Sequence, residues 1–388
     1  MTDKIIIVGG GPVGAVLALS LQQSGIACTV LEARAKGALY GDKRALALSH
    51  GSRLILEKLG VWNAVSVSAT AINSIHISQR GGLGRTKLNA SEHDLPALGY
   101  VLPYGELTKA LDAKLEQAAQ LENTDILYDA IVSQVKPVLA CGQVTFTQSG
   151  KENRLASRLV VVADGGNSLE VAGIKRETKE YGHNALVCKV RAELPHNNIA
   201  YERFTPQGPM ALLPNGERDF SLVWTGEKAA VEALLSLNDA TFLAQLHQAF
   251  GDRVGQFLSV EKRLSFPLKL STLKPSAVPH IVIIGNAAQT MHPVAGQGFN
   301  VGLRDAVKLA QAIISASPAN LGSAEMLGIY SKNRQRDTKG GILFTDFLVN
   351  VFTNDLIGIS TMRGAGLGLL DILKPAKSFL VGKMSYGK

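Results

Sequence analysis

Apolar positions recur with different periods along this chain, and the switches between periods outline its elements. Ile5 to Val8 is an unbroken apolar run of the buried-strand type, and it leads into Gly9-Gly10-Gly11-Pro12-Val13-Gly14. Val13, Leu17 and Leu21 then share one face of a helix that runs to Ser24 and is closed by Gly25. Pro12 suits the first turn of that helix, where its missing N–H costs nothing. Ala27 to Leu31 reads as a second strand and ends at Glu32. Leu159 onward is a third buried strand, which runs into Asp164-Gly165 and a short helical start at Ser168. Late in the chain, Ile281 to Ile284 repeats the pattern, and Gly285 ends it where the backbone must pass close to something. After a loop of small residues, Phe299, Leu303, Ala306, Ala310 and Ile313 recur at four- and three-residue steps. These positions predict a helix that begins at Gly296-Gln297-Gly298.

The stretch from Tyr201 to Trp224 behaves differently. Its short β-branched and aromatic runs are broken by Pro206, Gly208, Pro209 and Pro214-Asn215-Gly216, which predicts strands of a separate sheet. Met210, Leu212 and Phe220 either line a ring pocket there or form plain core, and core is the commoner use of such residues. In the final segment, Gly341 to Lys388, Phe344, Phe347, Leu348, Val351 and Phe352 take helical spacing, with Asp346, Asn350, Thr353 and Asn354 opposite them. That amphipathic helix has two readings: docking on the protein's own core, or lying in a membrane surface, where Arg363, Lys374, Lys377, Lys383 and Lys388 would help.

Composition narrows the function classes. With 388 residues and 46% hydrophobic content, the chain has enough material for two or three cores. A net charge of +8 fits a phosphate-bearing cofactor or an anionic surface. Nucleic acid is disfavoured, because the Lys and Arg residues are scattered and no basic stripe carries interleaved aromatics. Cys28, Cys141 and Cys188 are far apart and lack CxxC spacing, so a reducing compartment is expected, with neither a disulfide frame nor a zinc site. The eight histidines never fall at i, i+4 or in a tight cluster, so no metal is expected. The N-terminus lacks signal-peptide features, and no stretch of about 18 uncharged apolar residues occurs. A cytoplasmic protein is expected, with peripheral contact at the inner membrane left open.

Strand, glycine turn, helix, strand and acid stand in register at the start. Gly9 gives the tight turn, Gly11 the close approach to a pyrophosphate and Gly14 the close helix packing, while Glu32 would accept from a ribose hydroxyl. A free 2′-hydroxyl is implied, which means FAD or NAD and disfavours NADP at this site. The late helix offers a second anion-friendly start, since unpaired N–H groups and about half a positive charge gather at a helix N-terminus. A reduced flavin ring needs that. No Gly-x-Ser-x-Gly elbow supports a hydrolase.

GGGPVG near the start, ADGGNS in the middle and the late GN…HPVAGQGFN resemble, in order and spacing, the three signatures of the aromatic-hydroxylating flavoprotein monooxygenases. DKRALALS (Asp42 to Ser49), YERFTPQGPMALLP (Tyr201 to Pro214), SLVW (Ser221 to Trp224) and GNAAQTMHPVAGQGFNVGLRD (Gly285 to Asp305) resemble the ubiquinone-biosynthesis branch in particular. The resemblance runs from about Lys4 into the last forty residues. It implies an α/β fold: a Rossmann-like FAD-binding domain (1–75, 100–172 and 270–330), an interleaved β-sheet substrate domain (76–99 and 173–269) and a C-terminal helical segment (331–388).

The same resemblance assigns sites. Gly9, Gly11, Pro12, Gly14 and Glu32 would hold the ADP half of FAD, Arg44 would lie by the phosphates or the flavin edge, and Asp164 and Gly165 would lie at the pyrophosphate. Gly285 and Asn286 would meet the ribityl chain, and Gly296, Gln297, Gly298, Phe299 and Asn300 would cup the ring. His292 and Pro293 would sit near the flavin, and no catalytic side chain is assigned, because the chemistry is flavin-borne. Most relatives place Asp where this chain has Asn286, and Val101 to Leu107 lacks the basic residue expected near the flavin.

The implied reaction is hydroxylation of a polyprenyl (methoxy)phenol by a C4a-hydroperoxyflavin, made from O2 after NADPH or NADH reduces FAD as a transient co-substrate. No second glycine turn serves the nicotinamide. Peripheral membrane contact or a ubiquinone-pathway assembly would deliver the substrate. A flavin reductase or oxidase of an isoprenoid, and a non-catalytic prenyl-binding protein on the same fold, are the competing readings. Trp62 and Trp224 form no WxWxIP motif, which disfavours a halogenase. Ring position, prenyl length, choice of nicotinamide and oligomeric state are not legible.

Overall fold

Four short apolar strands, Cys28–Leu31, Ile5–Val8, Val160–Val162 and Ile281–Ile283, lie side by side and parallel in that order. Thr124–Leu127 extends the sheet on one edge and Ala277–Val278 closes the other. The computed structural model describes residues 4–81, 85–120, 123–166, 174–205, 207–290, 297–335 and 373–387. The central strands are apolar without alternation because both of their faces are covered. Ile5, Ile7, Val30, Val161 and Val282 pack with the opening helix Pro12–Gln22 and the late helix Gln297–Ser315. Ile6, Val8, Val160 and Ile281 point the other way, onto Val135, Val144 and Phe146 of a three-stranded antiparallel sheet. Each such side chain contributes about 1.5–3 kcal/mol when fully buried.

The elements fall close to where the periodicity puts them. The opening helix ends at Gln22, two residues short of Ser24, and Gly25 (φ +72°) turns the chain toward the second strand. On the late helix, Leu303, Ala306, Ala310 and Ile313 are buried and Phe299 is partly buried, as the spacing predicts. The two helices cross closely: a Cβ at Gly302 would meet Val13 at 3.0 Å and one at Gly285 would meet it at 3.1 Å. Glycine at both positions lets the helix pair and the turn nest together.

A large mixed sheet stands apart from the parallel one. It is built mainly from Ser74–Gln79, Arg85–Asn89, Lys175–Ala192, Ile199–Thr205, Gly208–Pro214, Asp219–Glu227 and Leu264–Lys274. Helices Lys228–Ser236 and Asp239–Phe250 cover one face. Met210, Leu212 and Phe220 are fully buried in the resulting cluster, so they are core and not pocket lining. A third, three-stranded sheet, Ala45–Ser49, Gly99–Pro103 and Thr70–Ile72, joins the two halves.

The terminal helix Lys374–Tyr386 docks on the protein itself. Val381, Leu380 and Met384 join Leu88, Ala90 and Leu98, and the Tyr386 ring stands edge-on to His50 at 5.7 Å. The amphipathic stretch Phe344 to Asn354 lies outside the described residues. No described helix is long and apolar enough to cross a membrane.

Candidate functional site

The first turn of the opening helix is left bare. Gly11 is its N-cap with no side-chain cap, and Pro12 opens the turn, so the free N–H groups face outward without an internal acceptor. The three motif glycines meet three different surroundings. At Gly9 (φ +104°) a Cβ would strike Ala163 O at 2.6 Å, and at Gly14 it would strike Gly9 O, so neither place admits a side chain. At Gly11 the nearest atom to a Cβ is the Tyr104 hydroxyl, 4.0 Å away. The first two glycines fix the turn and the third keeps an open approach to the N–H groups, the arrangement a pyrophosphate needs.

Glu32 stands at the far side of the turn. Its Oε2 accepts from Gly10 N at 2.8 Å, and its Oε1 accepts from Arg34 N at 3.0 Å and Arg34 Nη1 at 3.2 Å. A carboxylate has about four acceptor positions, so one is left for a ligand hydroxyl.

The middle motif continues the line. Gly9 lies against Asp164, whose Cα would be 2.9 Å from a Cβ there. Asp164 Oδ1 accepts from Gly166 N at 3.0 Å and fixes the turn, while a Cβ at Gly165 (φ +78°) would have nothing within 4 Å. A Cβ at Gly166 would lie 3.3 Å from Asn286 O, and one at Gly298 would lie 3.9 Å from Asn286 Oδ1. Glu32, Gly10, Gly9, Asp164, Gly166, Asn286 and Gly298 thus form a continuous track past the carboxyl ends of four adjacent parallel strands. Ligands of such sheets bind there. The late helix starts at Gln297, so its first N–H groups lie at the end of that track. His292, Pro293 and Gly296 lie outside the described residues, and of Gln297 only the backbone is described.

Arg44 stands at the flank. Its Nε and Nη2 donate to the Asp42 carboxylate at 2.9 and 2.5 Å, and its guanidinium lies 5.1 Å from the centroid of the Tyr104 ring. Burial works against the Asp42 charge, but the hydrogen bonds from Arg44 outweigh it and hold the carboxyl below the usual range. The Tyr104 hydroxyl therefore faces the Gly11 opening with a cation stacked on its ring. Sequence reasoning gave no role to Val101 to Leu107 because a basic residue was lacking there. Tyr104 occupies the flank instead.

Two further residues support the late turn from within. Asn300 is buried: its Oδ1 accepts from Ser49 N at 2.8 Å and Ser52 Oγ at 2.7 Å, and its Nδ2 donates to Ala47 O at 2.9 Å. Its side chain is committed to the Ala45–Ser49 strand, so its effect on a ring passes through the position of the helix. Asp305, also buried, accepts from Gly285 N at 3.2 Å, from Tyr330 Oη at 3.0 Å and from Arg334 Nε at 2.8 Å. Burial opposes the Arg334 charge, yet Asp305 more than offsets it and raises the guanidinium's pKa. A signal for Asp305 was present, since Gly302, Asp305 and Leu309 follow helical spacing and place an acid on the inner side.

The track fits FAD on the chain's own geometry. Open Cβ positions at Gly11 and Gly165 would be filled by any side chain, and the adjoining N–H groups suit a diphosphate. Comparisons with known proteins agree. A family model described as an FAD binding domain matches residues 2–340. Ubiquinone hydroxylase UbiL of Rhodospirillum rubrum is 32% identical over 380 residues, covering 96% of this chain and 87% of that protein. The 3-demethoxyubiquinol 3-hydroxylase of Escherichia coli is 30% identical, covering 94% and 93%. Among solved structures, p-nitrophenol 4-monooxygenase PnpA from Pseudomonas putida superposes with a TM-score of 0.80 at 16% identity, covering 99% of this chain and 98% of that one, which speaks to the fold alone. The chain belongs to the FAD-binding monooxygenase family.

Proposed function

We propose that this protein hydroxylates the aromatic ring of a polyprenylated (methoxy)phenol in ubiquinone biosynthesis, with FAD as cofactor, O2 as oxygen source and NADPH or NADH as electron donor. The observation that carries the reading is the track from Glu32 to Gly298, which ends at a helix N-terminus. The activities named for the relatives in Rhodospirillum rubrum and Escherichia coli support the substrate class. Within that branch, the motifs resemble those of 2-octaprenyl-6-methoxyphenol hydroxylase.

Bound FAD supplies the redox chemistry and the activation of oxygen. The chain's residues bind and orient. Gly9, Gly11, Pro12 and Gly14 would present the opening helix to the diphosphate, Glu32 would take the ribose hydroxyl, and Asn286 would hold the polyol. The first turn of the late helix would offer fixed N–H donors to negative charge on a bound flavin, and fixed donors pay no reorganisation cost during reaction. Arg44 and Tyr104 guard the phosphate flank. The domain division that fits this reading gives 1–75, 100–172 and 270–330 to FAD and 76–99 with 173–269 to the substrate.

The test is turnover of a short-chain prenyl phenol under dioxygen labelled with the heavy isotope. Heavy oxygen in the phenol product, with NADPH or NADH consumed, is the expected result. Hydrogen peroxide without product would support a reductase or oxidase instead, and purified protein unable to take up FAD would support a non-catalytic prenyl binder.

A further inference from the structure

The two faces of the large sheet are unlike. Leu186, Met210, Leu212, Phe220 and Trp224 are sealed under the two helices, whereas Val187, Ala211, Leu213 and Val223, one position away along each strand, keep partial exposure. Glu202 is on the second face. It pairs with Ala211 and Ile77, while its neighbours Tyr201 and Arg203 pair with Leu212 and Met210 and point under the helices.

That second face adjoins the cofactor side. Ala200, two residues from Glu202, shares a cluster with Leu213, Val101 and Ala45. Ala45 begins the strand whose last residue, Ser49, donates to Asn300 at the start of the late helix. Glu202 therefore lies on the face of the sheet that adjoins the strand holding Asn300.

Its direct neighbours along and across the strands are apolar, with Gln79 one step further on the same face, and among the described residues its carboxylate has no hydrogen-bond or ion-pair partner. Ala200, Phe204, Ile77 and Ala211 are its neighbours along and across the face. Arg203 points away and donates to Ala249 O at 3.2 Å. Elsewhere on this face Lys189 and Arg191 both pair with Asp219, at 3.0 and 3.7 Å, Lys179 lies over the Tyr181 ring, and Glu177 stands further along the same strand. Glu202 keeps partial exposure on this face. Burial pushes its carboxyl up to about 8. A lone acid among apolar neighbours has a cost, and function is the usual reason for keeping one.

We propose that Glu202 binds the phenol hydroxyl of the substrate and accepts its proton during ring hydroxylation. The assignment rests on the monooxygenase reading and names the protein group that activates the ring. The phenol O–H bond breaks, its proton goes to a Glu202 carboxylate oxygen, and its electron pair stays on the phenol oxygen. That pair feeds the ring carbon, which bonds to one of the two oxygens of the O2 that reduced FAD would activate; the O–O bond breaks and the second oxygen leaves as water. The attacked carbon then loses its hydrogen as a proton, and the phenol oxygen regains one. The hydroxyl acidifies as the ring gives up electron density, which closes the gap to a free phenol pKa of about 10. Glu202 then loses its proton to water. A base whose pKa lies near the working pH suits this step.

The test uses the FAD-loaded protein with 2-geranylphenol and its methyl ether, which has no proton to give. Without reductant, wild type should bind the phenol at least tenfold more tightly than the ether, and E202Q should lose that preference with its FAD content unchanged. Under turnover, product formation in wild type should rise through a single ionisation near pH 8. In E202Q it should fall on the order of 100-fold and lose that limb, and E202D should restore the limb at a lower rate. The melting temperature gives a separate reading. A carboxyl held above its unfolded value stabilises fully at acid pH and loses that contribution as pH rises through about 8, so wild type should decline against E202Q over that window. Equal binding of phenol and ether by wild type, or an unchanged pH profile in E202Q, would overturn the assignment. If wild type forms no hydroxylated product yet prefers the phenol through Glu202, the monooxygenase reading fails while the binding role stands.

Discussion

The opening turn and the late turn share a plan, a buried strand that ends at a glycine with a helix further on, yet they are held in place differently. The opening unit is nearly self-contained. Gly14 seats against Gly9, and Glu32, one strand away, fastens Gly10. The late unit depends on distant parts of the chain: Asn300 reaches back to Ser49 and Ser52, and Asp305 holds Gly285 while itself held by Tyr330 and Arg334. On the proposed reading, the opening unit would need only a fixed backbone for a diphosphate, whereas the late unit would have to place a flavin ring relative to the large sheet, and bonds from other elements would set that distance.

Mutations should separate the two designs. The largest effect is expected from Asp305→Asn, which leaves Arg334 as an uncompensated buried charge. Loss of one partner of such a pair costs about 3–5 kcal/mol, read as a lower urea midpoint. Asn300→Ala removes the partners of Ser49 N–H, Ser52 hydroxyl and Ala47 carbonyl. A loss of about 2 kcal/mol is expected, with weaker FAD binding because the helix start shifts.

At the nucleotide end a smaller effect of opposite sign is expected. Burial pushes Asp112 up to about 6, helped by Glu116 and Glu32 and opposed by a hydrogen bond from Tyr40. Because the folded value lies above the unfolded one, the protonated acid is favoured, and the stability this supplies disappears as pH rises through about 6. Asp112→Asn should therefore be more stable than wild type at pH 7.5, by about 1 kcal/mol, and lose the advantage near pH 4. Melting curves at the two pH values decide it. The smallest effect belongs to Asn286→Ala, which should weaken FAD binding by about 1 kcal/mol in a fluorescence titration.

The same contrast explains what the sequence could disclose. Gly9, Gly11, Gly14 and Glu32 act within one strand–helix–strand unit, so local spacing was enough to assign them. Asn300 sat in a legible motif, but its partners lie some 250 positions earlier and no periodicity links them. Tyr104 escaped because a charge was sought where an aromatic hydroxyl does the facing. In the large sheet, alternation located the strands, yet which face carries the helices depends on Phe242 and Leu246. That choice put Met210 and Leu212 in the core and left Glu202 and Ala211 partly exposed on the other face.

A crystal structure of the protein loaded with FAD tests the central claim most directly. The isoalloxazine is expected against the first turn of the late helix, within hydrogen-bond reach of backbone N–H groups at Gly298 or Phe299, with the diphosphate over Gly11 and Pro12. A ring seated away from that turn, or a diphosphate away from the opening glycines, would contradict the account.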